Sequence, residues 1–486
     1  MSIASLYDQS DAVAQAAHVA AGDVSPDELL DEALRRGEAV NPQINALTLL
    51  KPDVARRLIA AGLPDGPLKG VPFLLKDLGA EAIDFPGHNG SKSTMNTTYA
   101  RNSALYERLA AAGLVTFGRT TAPEGGVGPA TEAAVYGGPT RNPWSLDRTA
   151  GGSSGGAGSA VAAGVVPAAH GSDGGGSVRI PASSCGLFGF KATRARLPDG
   201  PYAGEGWAGM AIDGFLTRSV RDTAVLTDVC QGADLGAPYW APPLGGTLLA
   251  ATDRTPGKLR IAYLTDTFTG AAIDGECRHA VEDAIRLLQD MGHTLVEARP
   301  QADTRGMMEA WTKVVACGNA LWIRNVLEAR GARADDGLIE SIGITSLHYA
   351  KSVSGSDYLE AVGSIHRYGR EMAAFFEEHD MLLTATLAEP PAKIGRFAHA
   401  DAEYVDYRMG PGRVFDYSPF CAAFNASGQP AASLPLHRTS DGLPVGVHLA
   451  ARFGADELLM SLCADIERAK PWFSQRPPIW SGLPQA

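Results

Sequence analysis

The most informative part of the chain reads GGSSGGAGSAVAAG over residues 151–164 and GSDGGGSVRIPAS over residues 171–183. The alanine-rich run at 156–164 predicts a helix that packs closely, because its side chains are small. Residues 165–169 predict a buried strand, and residues 171–177 predict a glycine-rich loop after it. This alternation of helix and strand is typical of a sheet covered by helices.

Three serines in this stretch have unusual backbone settings. Ser153 and Ser154 stand between two glycine pairs, and strained backbone of the kind that glycine permits clusters at active sites. Ser177 follows three glycines, whose N–H groups can point at one oxygen and form an oxyanion hole. A surface linker and an anion-binding nest are the plainer interpretations of the two segments. The packed helix that follows disfavours the linker, and the missing Gly-Lys-Ser/Thr disfavours a P-loop.

A lysine ends a short apolar run in the first quarter of the chain. Residues 70–75 (GVPFLL) predict a strand, and Lys76 follows it directly. Burial lowers the pKa of a lysine, because an unpaired ammonium is costly away from water, and the neutral amine can then act as a general base. An ammonium that reaches solvent from the strand end is the alternative, and by themselves these residues favour it.

The rest of the chain continues the pattern without a linker, which favours one large α/β domain spanning residues 1–486. We divide it into an N-terminal helical region (1–65), a catalytic core (66–230) and a substrate-side region with the remaining sheet (231–486). Helices are predicted at 25–37, 52–61, 103–112, 275–291 and 358–379, strands at 114–117, 258–264, near 294, at 381–387, 432–436 and 445–449, and a polar loop (FNASGQ) at 424–429.

Composition disfavours several classes of function. The net charge is -12 over 486 residues, so we expect no nucleic-acid partner. The sequence has no apolar run long enough to span a membrane and no signal-peptide pattern, so no membrane partner is expected. The six cysteines are dispersed without a C-x-x-C pair. We therefore expect no metal site, and reduced thiols in a cytoplasmic protein.

Taken together, these segments resemble the amidase signature family of hydrolases. The likeness covers nearly the whole chain, and Ser153 and Ser177 have the spacing that the family uses. Supporting segments are GVPFLLKD at 70–77, TRNPW at 140–144, FNASGQPAASLP at 424–435 and DGLPVGVHL at 441–449. The resemblance implies a central, twisted, mixed β-sheet covered by helices on both faces, and an amide hydrolase that uses no cofactor.

The resemblance also implies roles for individual residues. Ser177 would be the nucleophile, Ser153 the proton relay and Lys76 the base, with a cis peptide bond between Gly152 and Ser153 and an acyl-enzyme intermediate. The implied oxyanion-hole donors are Gly174, Gly175 and Gly176. Support roles are implied for Ser154, Asp173 and Arg179, and substrate-binding roles for Gly126, Val127, Gly128 and Cys317. For Cys317, a core thiol is the plainer interpretation.

The implied substrate is a small linear or cyclic amide, such as an oligomer of 6-aminohexanoate, and many family members are homodimers. Two positions near the expected pocket depart from the family pattern: Val127 replaces an amide side chain, and Gly174 replaces a common threonine. The more apolar rim leaves aryl amides and carbamates as alternatives. We expect specificity to be set by residues 123–131, 201–213 and 310–350, which contain Trp207, Trp311 and Trp322, although core packing is the plainer role of each tryptophan.

Three rival functions stay open from the sequence. Residues 152–156 match the G-x-S-x-G nucleophile elbow of α/β-hydrolases, with Ser154 as nucleophile, but residues 142–147 predict a loop where that elbow needs a strand. The amidase subunit of a tRNA-dependent amidotransferase would favour glutamine at Ile180 and would need partner subunits. A binding protein that has lost catalysis is disfavoured, because all three catalytic positions are intact.

Overall fold

The computed structural model describes residues 2–400 and 402–482. Its strands are β1 (Leu47–Thr48), β2 (Pro72–Lys76), β3 (Val115–Thr120), β4 (Arg141–Asn142), β5 (Ser145–Thr149), β6 (Ala168–Asp173), β7 (Phe188–Lys191), β8 (Ile212–Thr217), β9 (Arg260–Tyr263), β10 (Thr294–Glu297), β11 (Met381–Ala385), β12 (Ala431–Arg438) and β13 (Pro444–Ala451). The helices are α1 (Ile3–Gln9), α2 (Ala12–Ala21), α3 (Pro26–Ile44), α4 (Pro52–Ala61), α5 (Ala104–Ala111), α6 (Gly155–Ala162), α7 (Arg179–Cys185), α8 (Val220–Cys230), α9 (Leu248–Thr252), α10 (Gly275–Asp290), α11 (Thr304–Arg330), α12 (Ser341–Ala350), α13 (Gly355–Phe375), α14 (Tyr404–Met409), α15 (Val414–Tyr417), α16 (Cys421–Ser427) and α17 (Asp456–Ala469).

Eleven of these strands form one mixed sheet in the order β1-β3-β2-β6-β8-β7-β12-β13-β11-β9-β10. Near its centre, β2 pairs in parallel with β6, and β6 pairs antiparallel with β8. Because β2 and β6 are parallel, their carboxyl ends lie at the same edge of the sheet, where α/β folds commonly bind ligands. That edge brings Lys76, the last residue of β2, beside the loop that follows Asp173.

Helices cover both faces of this sheet, as the sequence predicted. Side chains of alternate strand residues enter separate apolar clusters, since successive residues in a strand point to opposite faces. Phe73 and Phe215 join one cluster, whereas Leu74 and Leu216 join the other. In the described residues, no helix is both long enough and apolar enough to cross a bilayer.

Helix α6 shows why glycine and alanine dominate residues 155–162. A Cβ atom at Gly156 would lie 2.3 Å from the backbone nitrogen of Thr121, so only glycine fits where the helix crosses the end of β3. All residues of α6 are buried. The closely packed helix predicted from small side chains is therefore confirmed, and it fixes the position of Ser153 just before it.

Two segments predicted as loops are ordered elements. Residues 424–429 were expected to form a polar loop, but most of this segment belongs to α16, because Asn425 is stabilised there by buried hydrogen bonds to Asp173. Residues 142–147, expected to be loop, lie mostly in the β4–β5 hairpin, which forms a small sheet of its own. Tertiary contacts override local propensity in the first case.

Two element boundaries also differ from the prediction. β6 runs from Ala168 to Asp173 instead of 165–169, because Gly171 and the two residues after it pair with β8. Helix α3 continues past Gly37 to Ile44. A Cβ at Gly37 would lie 2.8 Å from Leu47 Cδ1, so this glycine allows close packing and does not end the helix.

Candidate active site

Lys76 is a buried amine within hydrogen-bond distance of two hydroxyl groups. Its Nζ donates to Ser153 Oγ at 2.7 Å and to Ser172 Oγ at 2.8 Å. Among the described residues, no carboxylate lies within ion-pair distance of it. Burial lowers the pKa of Lys76 from its ordinary value to about 7, against the opposing effect of the negative charges of Asp213 and Asp173. At mildly alkaline pH, Lys76 is therefore largely a neutral amine that can accept a proton.

The backbone of Lys76 is fixed on both sides. Its N–H donates to His170 Nδ1 at 3.2 Å, and His170 Nε2 lies 3.0 Å from Asp213 Oδ1. These partners assign His170 as the tautomer that carries its proton on Nε2. The carbonyl of Lys76 accepts a hydrogen bond from the buried Arg119 guanidinium. His170 and Arg119 thus hold the Lys76 backbone in position at the end of β2.

Ser153 lies on a loop whose backbone is pinned by Thr131. The peptide bond between Gly152 and Ser153 is cis, as the family resemblance implied. Thr131 Oγ1 donates to the carbonyl of Gly151 at 2.9 Å and accepts from the N–H of Gly155 at 3.2 Å. These bonds hold both flanks of the loop and direct the Ser153 hydroxyl toward Lys76.

Ser177 is half-buried and lines a small cavity that opens toward solvent. Its carbonyl accepts a hydrogen bond from the N–H of Ser154 at 3.2 Å, which joins the two serine-bearing loops. The Ser177 hydroxyl has no hydrogen bond to Ser153 in this structure. The hydrogen bond between Lys76 and Ser153 is therefore present in the structure. Ser177 lies on the adjoining loop and lines the cavity.

Trp311 and the Asp173 carboxylate hold the backbone of the glycines before Ser177 in place. The indole Nε1 of Trp311 donates to the carbonyl of Gly174 at 2.9 Å. Trp311 also packs on Gly175, where an added Cβ would lie 2.8 Å from its ring. The N–H of Gly176 donates to Asp173 Oδ1 at 2.7 Å. Of the three backbone N–H groups expected in the oxyanion hole, that of Gly176 therefore already donates a hydrogen bond within the loop.

Asp173 is the centre of a buried network behind that loop. Its carboxylate accepts from Arg179 Nε and Nη2, each at 2.9 Å, and from Asn425 Nδ2 at 2.9 Å. Burial alone would raise the pKa of Asp173, but the Arg179 charge and these hydrogen bonds hold it well below its usual range. His448 Nε2 lies 3.1 Å from Arg179 Nη1 and completes the network. Sequence reasoning missed Ser172, Asn425 and His448, although the FNASGQ segment contains Asn425.

Comparison with known proteins shows which family the chain belongs to. The family model described as Amidase matches residues 28–460. The chain belongs to the amidase signature family. The family resemblance drawn from the motifs is thereby confirmed, and this amidase is a hydrolase of carbon–nitrogen amide bonds.

Relatives match nearly the whole of this amidase. It is 36% identical over 480 residues to the 6-aminohexanoate-cyclic-dimer hydrolase of Paenarthrobacter ureafaciens, covering 96% of each chain. It is 34% identical over 480 residues to the acylamidase of Rhodococcus erythropolis, again covering 96% of each. The solved structure of 6-aminohexanoate cyclic dimer hydrolase complexed with substrate has a TM-score of 0.91 at 34% identity, covering 98% of this chain and 99% of the other. The predicted fold class is confirmed.

The cavity beside Ser177 in this amidase is mostly aromatic and apolar. Trp207 and Trp311 meet edge to face with ring centroids 5.9 Å apart, and Trp311 meets Phe415 at 5.4 Å. A Cβ at Gly174 would lie 2.5 Å from the ring of Trp207, so the threonine common in the family would displace this ring. The departure at Gly174 therefore accompanies a tryptophan wall.

The four predicted substrate-binding residues do not lie together. Gly126 and Gly128 line the cavity with Ser177. Val127 lines a second cavity, and Cys317, half-buried on α11, lines neither of the two. Arg408, which no sequence motif marked, lines the Ser177 cavity.

The Asp173 network yields a stability prediction. Asp173→Asn leaves the buried Arg179 charge uncompensated, so we expect the free energy of unfolding at pH 7 to fall by about 3–5 kcal/mol. The folded-state pKa of Asp173 is depressed, so its contribution is complete above the unfolded value near 4 and declines as pH falls. Urea unfolding at pH 7 and pH 4 measures both effects. The exposed Asp147→Asn is the matched control, and an equal loss in both variants would contradict the network's role.

Proposed function

We propose that this amidase uses Ser177 as nucleophile, Ser153 as proton relay and Lys76 as general base. The observation that supports the proposal most strongly is the 2.7 Å contact between Lys76 Nζ and Ser153 Oγ in a buried site. A lysine with a pKa of about 7 is matched to proton transfer near neutral pH. Ser177 lies where a substrate in the cavity would meet it.

The acylation step follows from these positions. After the Ser177 hydroxyl turns toward Ser153, Lys76 takes the proton of Ser153 while Ser153 takes that of Ser177. Ser177 Oγ then attacks the amide carbonyl carbon. The resulting oxyanion is bound by backbone N–H groups of Gly174, Gly175 and Ser177, because the Gly176 amide is held by Asp173. When the carbon–nitrogen bond breaks, the relay returns the proton to the departing amine.

Deacylation repeats the relay with water. Lys76, acting through Ser153, removes a proton from water as the water attacks the acyl carbonyl, and the proton returns to Ser177 Oγ when the ester bond breaks. The products are a carboxylic acid and a free Ser177. Ser154, Asp173 and Arg179 act as positioning residues in this scheme, since they hold the two loops together.

The proposed substrate is a small linear or cyclic amide, such as a 6-aminohexanoate oligomer. The 36% identity to a cyclic-dimer hydrolase supports it. Aryl amides and carbamates are the second candidate, because Trp207, Trp311 and Phe415 offer ring faces and edges to an aromatic group. The apolar Ile180 lines the cavity where an amidotransferase subunit would favour glutamine. We propose activity without partner subunits, nucleic acid or cofactor, in a monomer or a homodimer.

A substrate panel tests this proposal. The purified chain is incubated with cyclic and linear dimers of 6-aminohexanoate, a 4-nitroanilide and an aryl carbamate, and amine release is measured. We expect hydrolysis of at least one of them with no added subunit, metal or nucleotide, and none in a parallel preparation of Ser177→Ala. Hydrolysis that appears only after partner subunits are added would contradict the proposal.

A further inference from the structure

Arg408 is a buried charge in the substrate cavity that the mechanism does not use. Its side chain, on α14, is 3% exposed and lines the same cavity as Ser177. Its Nε has no hydrogen-bond partner in the part of the chain that the structure describes. Within residues 2–400 and 402–482, no carboxylate lies within 4.0 Å of the guanidinium. Buried arginines are almost always paired, because an unpaired charge away from water is costly.

Aromatic rings hold the Arg408 guanidinium in place without neutralising it. The guanidinium carbon lies 5.1 Å from the ring centroid of Trp311, 5.4 Å from that of Tyr404 and 5.5 Å from that of Tyr407. Such contacts stabilise the guanidinium by less than the cost of burying its charge. They favour one orientation of the guanidinium, and apart from its interaction with the Tyr404 hydroxyl they leave its N–H groups for another acceptor. The apolar surroundings strengthen any ion pair formed there.

A second weakly paired donor faces the same cavity. The Ser418 side chain is 2% exposed and lines the cavity with Arg408, and among the described residues its hydroxyl has no nitrogen or oxygen partner and interacts with the Cys421 thiol. No acidic residue lines this cavity in the described part of the chain. An acceptor with negative charge and two oxygens would satisfy what these two side chains lack. A carboxylate has that chemistry, and arginine binds it through two parallel hydrogen bonds.

We infer that the preferred substrate carries a carboxylate, held by Arg408 with help from Ser418, in addition to the amide bond cleaved at Ser177. This inference rests on the proposed function and deepens it. Arg408 is then a specificity-determining residue that binds substrate away from the reacting atoms. The carboxylate belongs either to the acyl part of the substrate or to the amine part, and the two sources share the same recognition chemistry.

Matched substrate pairs test the inference and distinguish the two sources. For the acyl side, the 4-nitroanilides of glutaric acid and pentanoic acid are compared; for the amine side, pentanoyl-4-aminobenzoate and pentanoyl aniline are compared. We expect kcat/KM to favour the carboxylate member of one pair by roughly 10- to 100-fold, the range of a charge-assisted hydrogen bond. The preference should fall as salt concentration rises, though less than for an exposed pair.

Variants then assign the preference to Arg408. In Arg408→Gln, the ratio of kcat/KM between the charged and neutral members should fall to near 1, mainly through KM. Arg408→Lys should keep part of the preference, since it keeps the charge but loses the fork geometry. Arg413→Gln is the matched control, because Arg413 follows the same helix but is one-third exposed and pairs with Asp406. The Arg413→Gln variant should leave the ratio of kcat/KM between the charged and neutral members unchanged. Thermal melting of each variant checks that it is folded.

The outcomes separate this inference from the proposed function. Hydrolysis of the neutral members with no preference for a carboxylate on either side would overturn the inference and leave the proposed amidase mechanism standing. A carboxylate preference that survives in folded Arg408→Gln would also overturn it. Failure to hydrolyse any of the four amides, while Ser177 can be replaced without effect on other substrates, would instead count against the proposed function.

Discussion

Replacing Ser177 with alanine should lower kcat by about 10⁴- to 10⁶-fold, because no acyl-enzyme can form without the nucleophile. Substrate binding should change little, since the cavity walls remain. Steady-state kinetics on the best substrate of the panel, with KM or an independent Kd, measures both. Among the described residues the Ser177 hydroxyl has no hydrogen-bond partner, so its loss should leave the thermal melting temperature nearly unchanged.

Ser154→Ala is the comparison that separates this scheme from an α/β-hydrolase elbow. Ser154 Oγ bonds the backbone of Ser172, with its N–H at 3.2 Å and its carbonyl at 3.3 Å. Its removal should therefore cause a smaller loss of activity through loosening of the two loops. A nearly inactive Ser154→Ala beside a Ser177→Ala that keeps its activity would reverse the assignment of the nucleophile.

Lys76→Met should be the second severe change, lowering the acylation rate by about 10²- to 10⁴-fold, the usual contribution of a general base. Methionine keeps the approximate volume but cannot accept the proton of Ser153. Single-turnover measurements of amine release at pH 8 give the rate directly. In the wild type, that rate should rise with pH and level off above about 7, the pKa of the buried amine.

The same variant should be more stable than the wild type near neutral pH. Burial lowers the folded-state pKa of Lys76 from 10.5 to about 7, so between these values the unfolded chain holds a proton that the folded chain lacks. Wild-type stability therefore rises with pH across this window by up to about 1.4 kcal/mol per pH unit relative to Lys76→Met. The advantage of the variant should be largest at pH 7 and below, and should vanish toward pH 10.5, as urea unfolding at several pH values would show.

Lys191→Met is the matched control for both effects. Lys191 is also buried, and burial lowers its pKa to about 7, but its Nζ donates to the carbonyl of Ala192 and not to a serine. Its removal should give a similar pH dependence of stability and leave the acylation rate within a few-fold of the wild type. Equal losses of activity in the two variants would contradict the assignment of Lys76 as base.

The sequence predicted the proximity of Lys76 and Ser153 at the sheet edge better than it predicted the lining of the cavity beside them. The glycine-framed serines and the lysine after GVPFLL each have a local signal, because close packing and tight backbone restrict residue type there. Arg408 lies on the short helix α14 and Ser418 directly follows the short helix α15, and both reach the cavity only through tertiary packing. Asn425 looked like a loop residue because its partner, Asp173, is distant in sequence.

The residues that surround Gly174 and Val127 in the structure bear on these two departures from the family pattern. Gly174 in place of threonine is explained by Trp207, whose ring occupies the space that a side chain would need. Val127 lines a second cavity and packs in the same apolar cluster as Ile180, which lines the cavity with Ser177. Neither set of contacts could be derived from the spacing of residues in the sequence, because both depend on how a loop is oriented relative to the site.

The measurement that tests the central claim most directly is the location of the acyl group. The enzyme is mixed with its best 4-nitroanilide, quenched in acid within one turnover and digested, and the acylated peptide is sequenced by mass spectrometry. We expect one acyl group per chain, on Ser177, and none in Ser177→Ala. An acyl group on Ser154 or another side chain, or rapid turnover with no acylated peptide at any quench time, would contradict the account.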